Sequence, residues 1–233
     1  MSSTTPSNRP RSSLPLAALV AVASAVVALA FAGGYAAQAQ SGQESHSAQS
    51  RGLSEQRLAL HDKMRRLWED HITWTRLFIV SATDELPDTA ATTRRLLRNQ
   101  DDIGNAIKPF YGRAAGERLT ALLKEHIAIA AELVGAAKSG DQADVERYSA
   151  AWYRNANRIA GFLSRANPRH WPRRDMRSMM RDHLDLTLAE AVAHLERDHR
   201  ADIRAYDRVH RQILRMADML SDGIAAQFPN RFR

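Results

Sequence analysis

The sequence predicts an all-α protein of six helices, arranged as three antiparallel helical hairpins in an up-and-down bundle. From Leu53 to Phe228, apolar residues recur three and four positions apart, as on one face of a helix. No segment in that range alternates as a half-buried strand does, and β-branched residues are sparse. Short breaks divide the range into pieces of helical length. These observations together favour a bundle over any sheet-containing fold.

Turn-forming residues set the limits of the first four predicted helices. The first ends before Pro87-Asp88, and the second ends between Pro109 and Gly112. Ser139-Gly140-Asp141 supplies a C-terminal glycine and then an N-capping aspartate, so it separates the third helix from the fourth. Asn167-Pro168 and Trp171-Pro172 end the fourth helix before the fifth begins.

The boundary between the fifth and sixth helices is ambiguous. The segment from Asp198 to Asp202 contains no glycine or proline. Either aspartate could cap a new helix, and one long helix is the alternative. Phe228-Pro229 ends the last helix.

The first 39 residues have the pattern of a Sec-type signal peptide. Arg9 and Arg11 precede an uncharged apolar run from Leu14 to Ala32, and Ala37-Gln38-Ala39 places small residues at a cleavage site. An uncleaved N-terminal membrane anchor is the alternative, because the run is long enough to span a bilayer. We therefore expect an exported protein, extracellular or associated with the cell envelope.

The mature chain is expected to be a tethered single domain. Residues 40–52 are rich in Gln, Ser and Gly and predict a flexible tether, and residues 53–230 are enough for one helical domain with its own core. The chain has no cysteine. This excludes disulfides, thiolate catalysis, sulfur metal ligands and lipid attachment at a signal-peptide cysteine.

The net charge is +7, and removal of Arg9 and Arg11 with the signal peptide leaves +5. Because basic and acidic residues interleave, solubility explains this charge best. Attraction to an anionic envelope polymer or a membrane surface is the functional alternative. The export signal argues against a nucleic-acid partner.

A histidine recurs at one place in the odd-numbered helices. His71, His126 and His183 each stand between an acidic and an aliphatic residue, and they lie 55 and 57 residues apart. A hairpin repeat of roughly 56 residues explains this spacing. Each histidine falls on the apolar stripe of its helix, so each is predicted to be buried. His210 falls on the stripe of the sixth helix.

Counting from the turns predicts the partners of these histidines within a buried polar layer. His71 is expected opposite Asn99, and His126 opposite Asn155. In the third hairpin, His183 would face Met216, which cannot form the same hydrogen bond. Its nearest polar candidates would then be three other side chains: Thr187, Glu190 and His210.

Metal binding is an alternative function for the same residues. Neutral imidazoles bind Zn, Cu or Fe, and carboxylates complete such sites. The candidate ligands are His71, His126, His183, His210 and Glu190. The chain lacks the paired Glu-x-x-His pattern of di-iron bundles. Nothing in the sequence alone shows that the histidines converge, so pairing within each hairpin is favoured.

An envelope enzyme is a weaker alternative. Five carboxylates could supply acid–base pairs: Glu69, Asp102, Glu190, Asp207 and Asp218. No Ser-His-Asp arrangement, phosphate-binding loop or His-Glu-x-x-His motif occurs. The residues therefore favour a non-catalytic binding or envelope-associated protein without a predicted cofactor.

Three runs resemble a family of exported all-helical proteins from Gram-positive bacteria and actinomycetes. They are Trp68–Arg76 (WEDHITWTR), Leu96–Ile107 (LLRNQDDIGNAI) and Asp218–Ile224 (DMLSDGI). The resemblance covers most of residues 60–230 and implies an exported helical fold. Some members of the family carry a glycosyltransferase label. This chain has neither a nucleotide-sugar-binding Rossmann pattern nor an Asp-x-Asp motif within a strand, so that activity is not expected.

Overall fold

The structure, a computed structural model, describes residues 55–232. The predicted signal peptide (1–39) and tether (40–52) lie outside these residues. The described chain forms six α-helices and one short 3₁₀ turn: α1 Glu55–Thr83, α2 Thr89–Tyr111, α3 Arg113–Ser139, α4 Gln142–Ala166, α5 Arg173–Leu195, α6 His199–Gln227 and the turn Pro229–Arg231. No strand occurs within residues 55–232. The predicted all-α class with six helices is confirmed.

The helices form a closed ring. Each helix packs against the next one along the chain, and α6 packs back against α1. An ion pair of 2.9 Å between Arg57 and Asp222 joins the beginning of α1 to the end of α6. Helix α1 also contacts α3 and α5. The odd-numbered helices therefore meet in the interior, and short loops connect them to the even-numbered helices.

Local capping explains two of the helix boundaries. Gly140 ends α3 with a left-handed φ of 73°, and the Asp141 side chain then accepts a hydrogen bond from the Asp144 backbone N–H. Between α5 and α6, Arg197 has a φ of 61°, and Asp198 accepts a hydrogen bond from the Ala201 N–H. The fifth and sixth helices are thus separate, with Asp198 as the cap.

Glycine allows two close approaches within the ring. A Cβ atom at Gly104 of α2 would collide with Thr120 and with the Gly116 carbonyl of α3. A Cβ at Gly223 of α6 would collide with the buried indole of Trp171, whose Nε1–H donates to the Met219 carbonyl at 3.2 Å. These glycines set the spacing of the helices.

The side chains that fill the interior differ between the two halves of the bundle. In the half nearer the start of α1, large apolar side chains such as Met64, Trp68 and Met216 pack tightly together. The opposite half has a smaller apolar cluster, around Phe78 and Ile79, together with the polar groups described below. None of the described helices combines the length and apolar character needed to cross a membrane.

Candidate functional site

Three histidines meet inside the ring. His71 of α1, His126 of α3 and His183 of α5 are only 3–4% exposed, and all three line one cavity of about 50 Å³. The ring centroids of His71 and His183 are 5.8 Å apart. We call these residues the imidazole triad. The structure therefore brings together the three histidines that the sequence singled out.

A side-chain amide orients the imidazole in the second and third hairpins. The Nδ1–H of His126 donates to Asn155 Oδ1 at 2.9 Å, and the Nδ1–H of His183 donates to Gln212 Oε1 at 3.2 Å. Each amide stands 29 residues after its histidine. Because an amide oxygen can only accept, each ring carries its proton on Nδ1 while it is neutral. Nε2 then keeps a free lone pair.

Backbone carbonyls fix these amides in turn. The Asn155 Nδ2 group donates to the Leu122 carbonyl at 3.2 Å, and the Gln212 Nε2 group donates to the Met179 carbonyl at 3.1 Å. Both carbonyls lie four residues before the histidine of the same hairpin. With the NH₂ group held in this way, the amide oxygen must face the imidazole.

The prediction that His183 faces Met216 is wrong, because Gln212 is its hydrogen-bond partner. Met216 lies one helical turn beyond Gln212, and it is buried in the apolar half of the interior. Of the other candidates, Thr187 donates its hydroxyl to the His183 backbone carbonyl at 2.8 Å, so it contacts the backbone and not the ring. Gln212 fills the partner position because side chains one turn apart on α6 share the face toward α5.

The first hairpin uses two neighbouring amides. Asn99 is fully buried, donates its Nδ2 group to the Leu67 carbonyl at 2.9 Å, and accepts a hydrogen bond from Gln100 Nε2 at 3.2 Å. Gln100, which was not among the predicted partners, places Nε2 3.3 Å from His71 Nδ1 and donates to the Leu96 carbonyl at 2.8 Å. Gln100 also stands 29 residues after its histidine, and that shared offset was the signal that could have identified it.

Burial keeps the triad neutral. It lowers the pKa of His126 to about 3, with a further contribution from His183, and lowers the pKa of His183 to about 4. The pKa of His71 is also well below its usual value because of burial and the two nearby histidines. All three imidazoles are therefore uncharged at neutral pH. Nε2 is the unprotonated nitrogen of His126 and His183, whereas the unprotonated Nδ1 of His71 faces the NH₂ group of Gln100.

The walls of the cavity are almost entirely apolar. They come mainly from α1, α3 and α5, and include Phe78, Leu133 and Ala191, with Trp152 of α4 at the side. The Trp152 indole stacks on His126 at a centroid distance of 5.1 Å. No Asp, Glu, Lys or Arg lines this cavity. Two buried polar atoms beside it, His126 Nε2 and Trp152 Nε1, have no hydrogen-bond partner within the described residues.

A second buried polar group lies beyond the triad on α1, α5 and α6. Arg76 donates to Glu190 at 2.9 Å and to both carboxylate oxygens of Asp202, and His194 Nδ1 lies 3.0 Å from Asp202 Oδ2. We call these four residues the Arg76 cluster. Burial raises the pKa of Glu190 to about 7, although Arg76 opposes the shift, and Glu190 Oε2 has no hydrogen-bond partner.

The remaining candidate residues lie outside the cavity. His210 Nε2 is 2.7 Å from a Glu69 carboxylate oxygen, and Asp218 is paired with Arg65. Asp102 and Asp207 are exposed. The five predicted metal ligands therefore do not form one site, since His210 and Glu190 have other partners. As the side chains are arranged, no three His, Asp or Glu groups within residues 55–232 are placed to hold one metal ion.

The cavity can bind a molecule by apolar contact and by hydrogen bonding to an imidazole nitrogen. Its walls provide the apolar surface, and the triad provides neutral acceptors on a rigid support. Comparison with known proteins adds no relative to this description: no protein-family model, no curated protein and no solved structure matches the chain.

Proposed function

We propose that this protein is an exported, non-catalytic helical bundle that binds a small ligand in the cavity at the imidazole triad. The observation that carries the proposal is the convergence of three neutral imidazoles on one apolar cavity, two of them oriented by a side-chain amide. An apolar cavity with a few convergent polar groups is the usual form of a small-molecule site. The unpartnered His126 Nε2 supplies one such polar group.

The size and charge of the cavity limit the ligand. A cavity needs about 10–15 Å³ to hold one water molecule. The volume of about 50 Å³ therefore suits a ligand no larger than a few water molecules. Because no charged side chain lines the walls, an anion or an organic cation would lose its hydration without gaining an ion pair.

The arrangement of the carboxylates supports a binding role over catalysis. Glu69, Glu190 and Asp218 each contact a basic side chain, and none of them lines the cavity. A general acid or base must reach the reacting group directly or through one water molecule. The carboxylates proposed from the sequence as acid–base pairs are therefore badly placed to act on a molecule bound at the triad.

The proposed export of the protein rests on its sequence. The N-terminal charge, the apolar run and Ala37-Gln38-Ala39 support export, as does the resemblance to an exported helical family. N-terminal sequencing of protein recovered from a secreting host should find a mature chain that begins at Gln40. Recovery of the intact N-terminus in the membrane fraction would instead support the anchor. The positive charge suits an anionic envelope polymer or membrane surface near the site of action.

Xenon is a suitable probe of the cavity because it is neutral, small and polarisable. NMR spectra of the mature protein under xenon pressure should show saturable shifts at wall residues such as Ile127 and Val134. Ala130 also lines the cavity, so Ala130→Leu should abolish the shifts. Ala128→Leu, at an exposed position of the same helix, is the matched control. Unsaturable or absent shifts in the wild type would refute an accessible ligand site.

A further inference from the structure

One stretch of the surface departs from the interleaving of basic and acidic residues seen across the chain as a whole. Residues 165–181, at the end of α4 and the beginning of α5, contain six arginines and one acidic residue, Asp175. All six arginines are exposed, and we call them the basic α4–α5 surface: Arg165, Arg169, Arg173, Arg174, Arg177 and Arg181. The fold thus displays a concentrated positive charge at one place on the bundle.

Ion pairs within the protein do not neutralise this charge. Arg165, Arg169 and Arg173 form no ion pair or side-chain hydrogen bond with any residue of the described range 55–232. Arg174 lies 3.0 Å from its neighbour Asp175, but its side chain is 93% exposed, so water weakens that pair strongly. The charges of the basic α4–α5 surface are therefore available to a partner.

The loop between α4 and α5 is fixed from below. Asn167 is 1% exposed, its Nδ2 group donates to the Gly223 carbonyl at 2.8 Å, and its Oδ1 accepts from the His170 N–H at 3.3 Å. The Trp171 backbone N–H donates to the Asn167 carbonyl at 2.8 Å. Because the loop backbone is already ordered, it has little freedom to lose when a partner binds to Arg169.

The arginines of α5 form a row. Arg173, Arg177 and Arg181 stand four residues apart, so they share one face of the helix at intervals of about 6 Å. Arg177 donates to Asn157 of α4 at 3.0 Å, which places this face toward α4. Asp175 instead lines a groove with residues of α6, on the other side of the helix. The acidic residue in the same turn therefore does not interrupt the row.

We propose that the basic α4–α5 surface binds a linear, phosphate-bearing polymer of the cell envelope. The inference rests on the export that the proposed function includes, because an exported protein meets such a polymer, and it does not depend on the cavity. A guanidinium group is planar and can donate two parallel N–H bonds to one phosphate. A polymer with a phosphate in each repeat can therefore place successive phosphates on successive arginines.

The surface fits a polymer better than a lipid bilayer. Helices that lie on a bilayer insert apolar side chains between the headgroups. The exposed large apolar side chains of residues 55–232 all lie outside the segment 165–181, and Trp171 within the segment is buried. Without such insertion only charge attraction to anionic lipids would remain, and mobile headgroups gain nothing from arginines at fixed intervals.

The test measures binding of linear inorganic polyphosphate to the mature protein by calorimetry, at a series of NaCl concentrations. Arg169→Gln/Arg173→Gln removes two unpaired cations and should weaken binding by about three- to thirtyfold. Fewer counterions are then released, so a plot of log affinity against log salt concentration should become shallower by about 0.7 for each arginine removed.

The matched control is Arg204→Gln/Arg208→Gln. It removes the same charge from two exposed positions, also four residues apart, in the first half of α6. The α4–α5 loop contacts the other end of that helix, at Gly223. If the site is local, the control should bind polyphosphate nearly as the wild type does, with the same salt dependence.

Three results would overturn the inference: no binding of polyphosphate by the wild type at low salt, equal weakening in the two double variants, or tighter binding to phosphatidylglycerol vesicles than to polyphosphate at equal phosphate concentration. The third result would assign the surface to a membrane. None of these results bears on the cavity, because the arginines do not line it. A protein that binds polyphosphate but shows no xenon shifts would lose the cavity proposal alone.

Discussion

The imidazole triad and the Arg76 cluster are neighbours on α1 and α5, and both bury ionisable side chains, but they do so in opposite ways. The triad stays neutral: burial lowers each pKa, and amides supply the hydrogen bonds. The Arg76 cluster keeps a charged pair: Arg76 binds Asp202 and lowers the pKa of that carboxyl, while burial raises the pKa of Glu190 to about 7. Neutral groups leave room for a ligand, whereas paired charges lock three helices together.

A fall in pH should have the largest effect on the stability of the protein, because it acts on the imidazole triad. The folded-state pKa values lie below the unfolded value of about 6.5, so the stability contributed by the neutral imidazoles is lost as the pH falls from 6.5 toward 4. At about 1.4 kcal/mol per pKa unit, His126 and His183 should each lower the free energy of unfolding by about 3 kcal/mol over this range. Urea unfolding at a series of pH values measures the loss. His126→Gln should reduce the slope by one ring's share, and a flat profile in the wild type would contradict the expectation.

Removal of Arg76 should have the next largest effect. Arg76→Met leaves Glu190 and Asp202 buried without their cation, and we expect the free energy of unfolding to fall by about 3–5 kcal/mol at pH 7. The matched control is Arg65→Met, which breaks the more exposed pair with Asp218 and should cost no more than about 1 kcal/mol. If urea unfolding shows equal losses of stability in the two variants, burial of the cluster does not increase the cost of removing its arginine.

Glu190 should respond to pH with the opposite sign from the triad. Its folded pKa of about 7 is above the unfolded value, so its contribution to stability is present at low pH and is lost as the pH rises toward 7. Glu190→Gln should remove this dependence and raise the free energy of unfolding at pH 8 by about 1–2 kcal/mol. Unchanged stability at pH 8 in the variant would mean that the ionised carboxylate is tolerated.

Filling the cavity should have the smallest effect on stability. Ala130→Leu adds apolar atoms to the cavity wall, and we expect a gain of about 0.5–1 kcal/mol in the free energy of unfolding. Ala128→Leu should be neutral within error, because position 128 is exposed. A loss of stability in Ala130→Leu would show that the cavity is too rigid to accept the side chain. Thermal unfolding of the wild type and the two variants gives the comparison.

Periodicity and capping were enough to predict the fold, because both are local. Helical spacing of apolar residues predicted six helices, and Gly140 with Asp141 marked one boundary where the structure has it. The burial of the three histidines also followed from their stripes. The boundary at Asp198 could not be decided, since a positive φ at Arg197 leaves no mark in the residue type.

Contacts between helices were harder to predict. Counting from the turns has an error of about one helical turn, which is enough to exchange Gln212 for Met216. The Arg76 cluster joins residues more than 100 positions apart, and no local pattern encodes such a contact. Glu190 on an otherwise apolar stripe was the available signal, because a buried carboxylate requires a cation.

The closed ring has a consequence for chain connectivity. The Arg57–Asp222 ion pair brings the beginning of α1 beside the end of α6, so a short peptide could join them without moving a helix. A circular permutant opened between Gly140 and Asp141, where the backbone is exposed, should then reach the same packing. The three imidazoles should therefore come together whichever hairpin comes first in the chain.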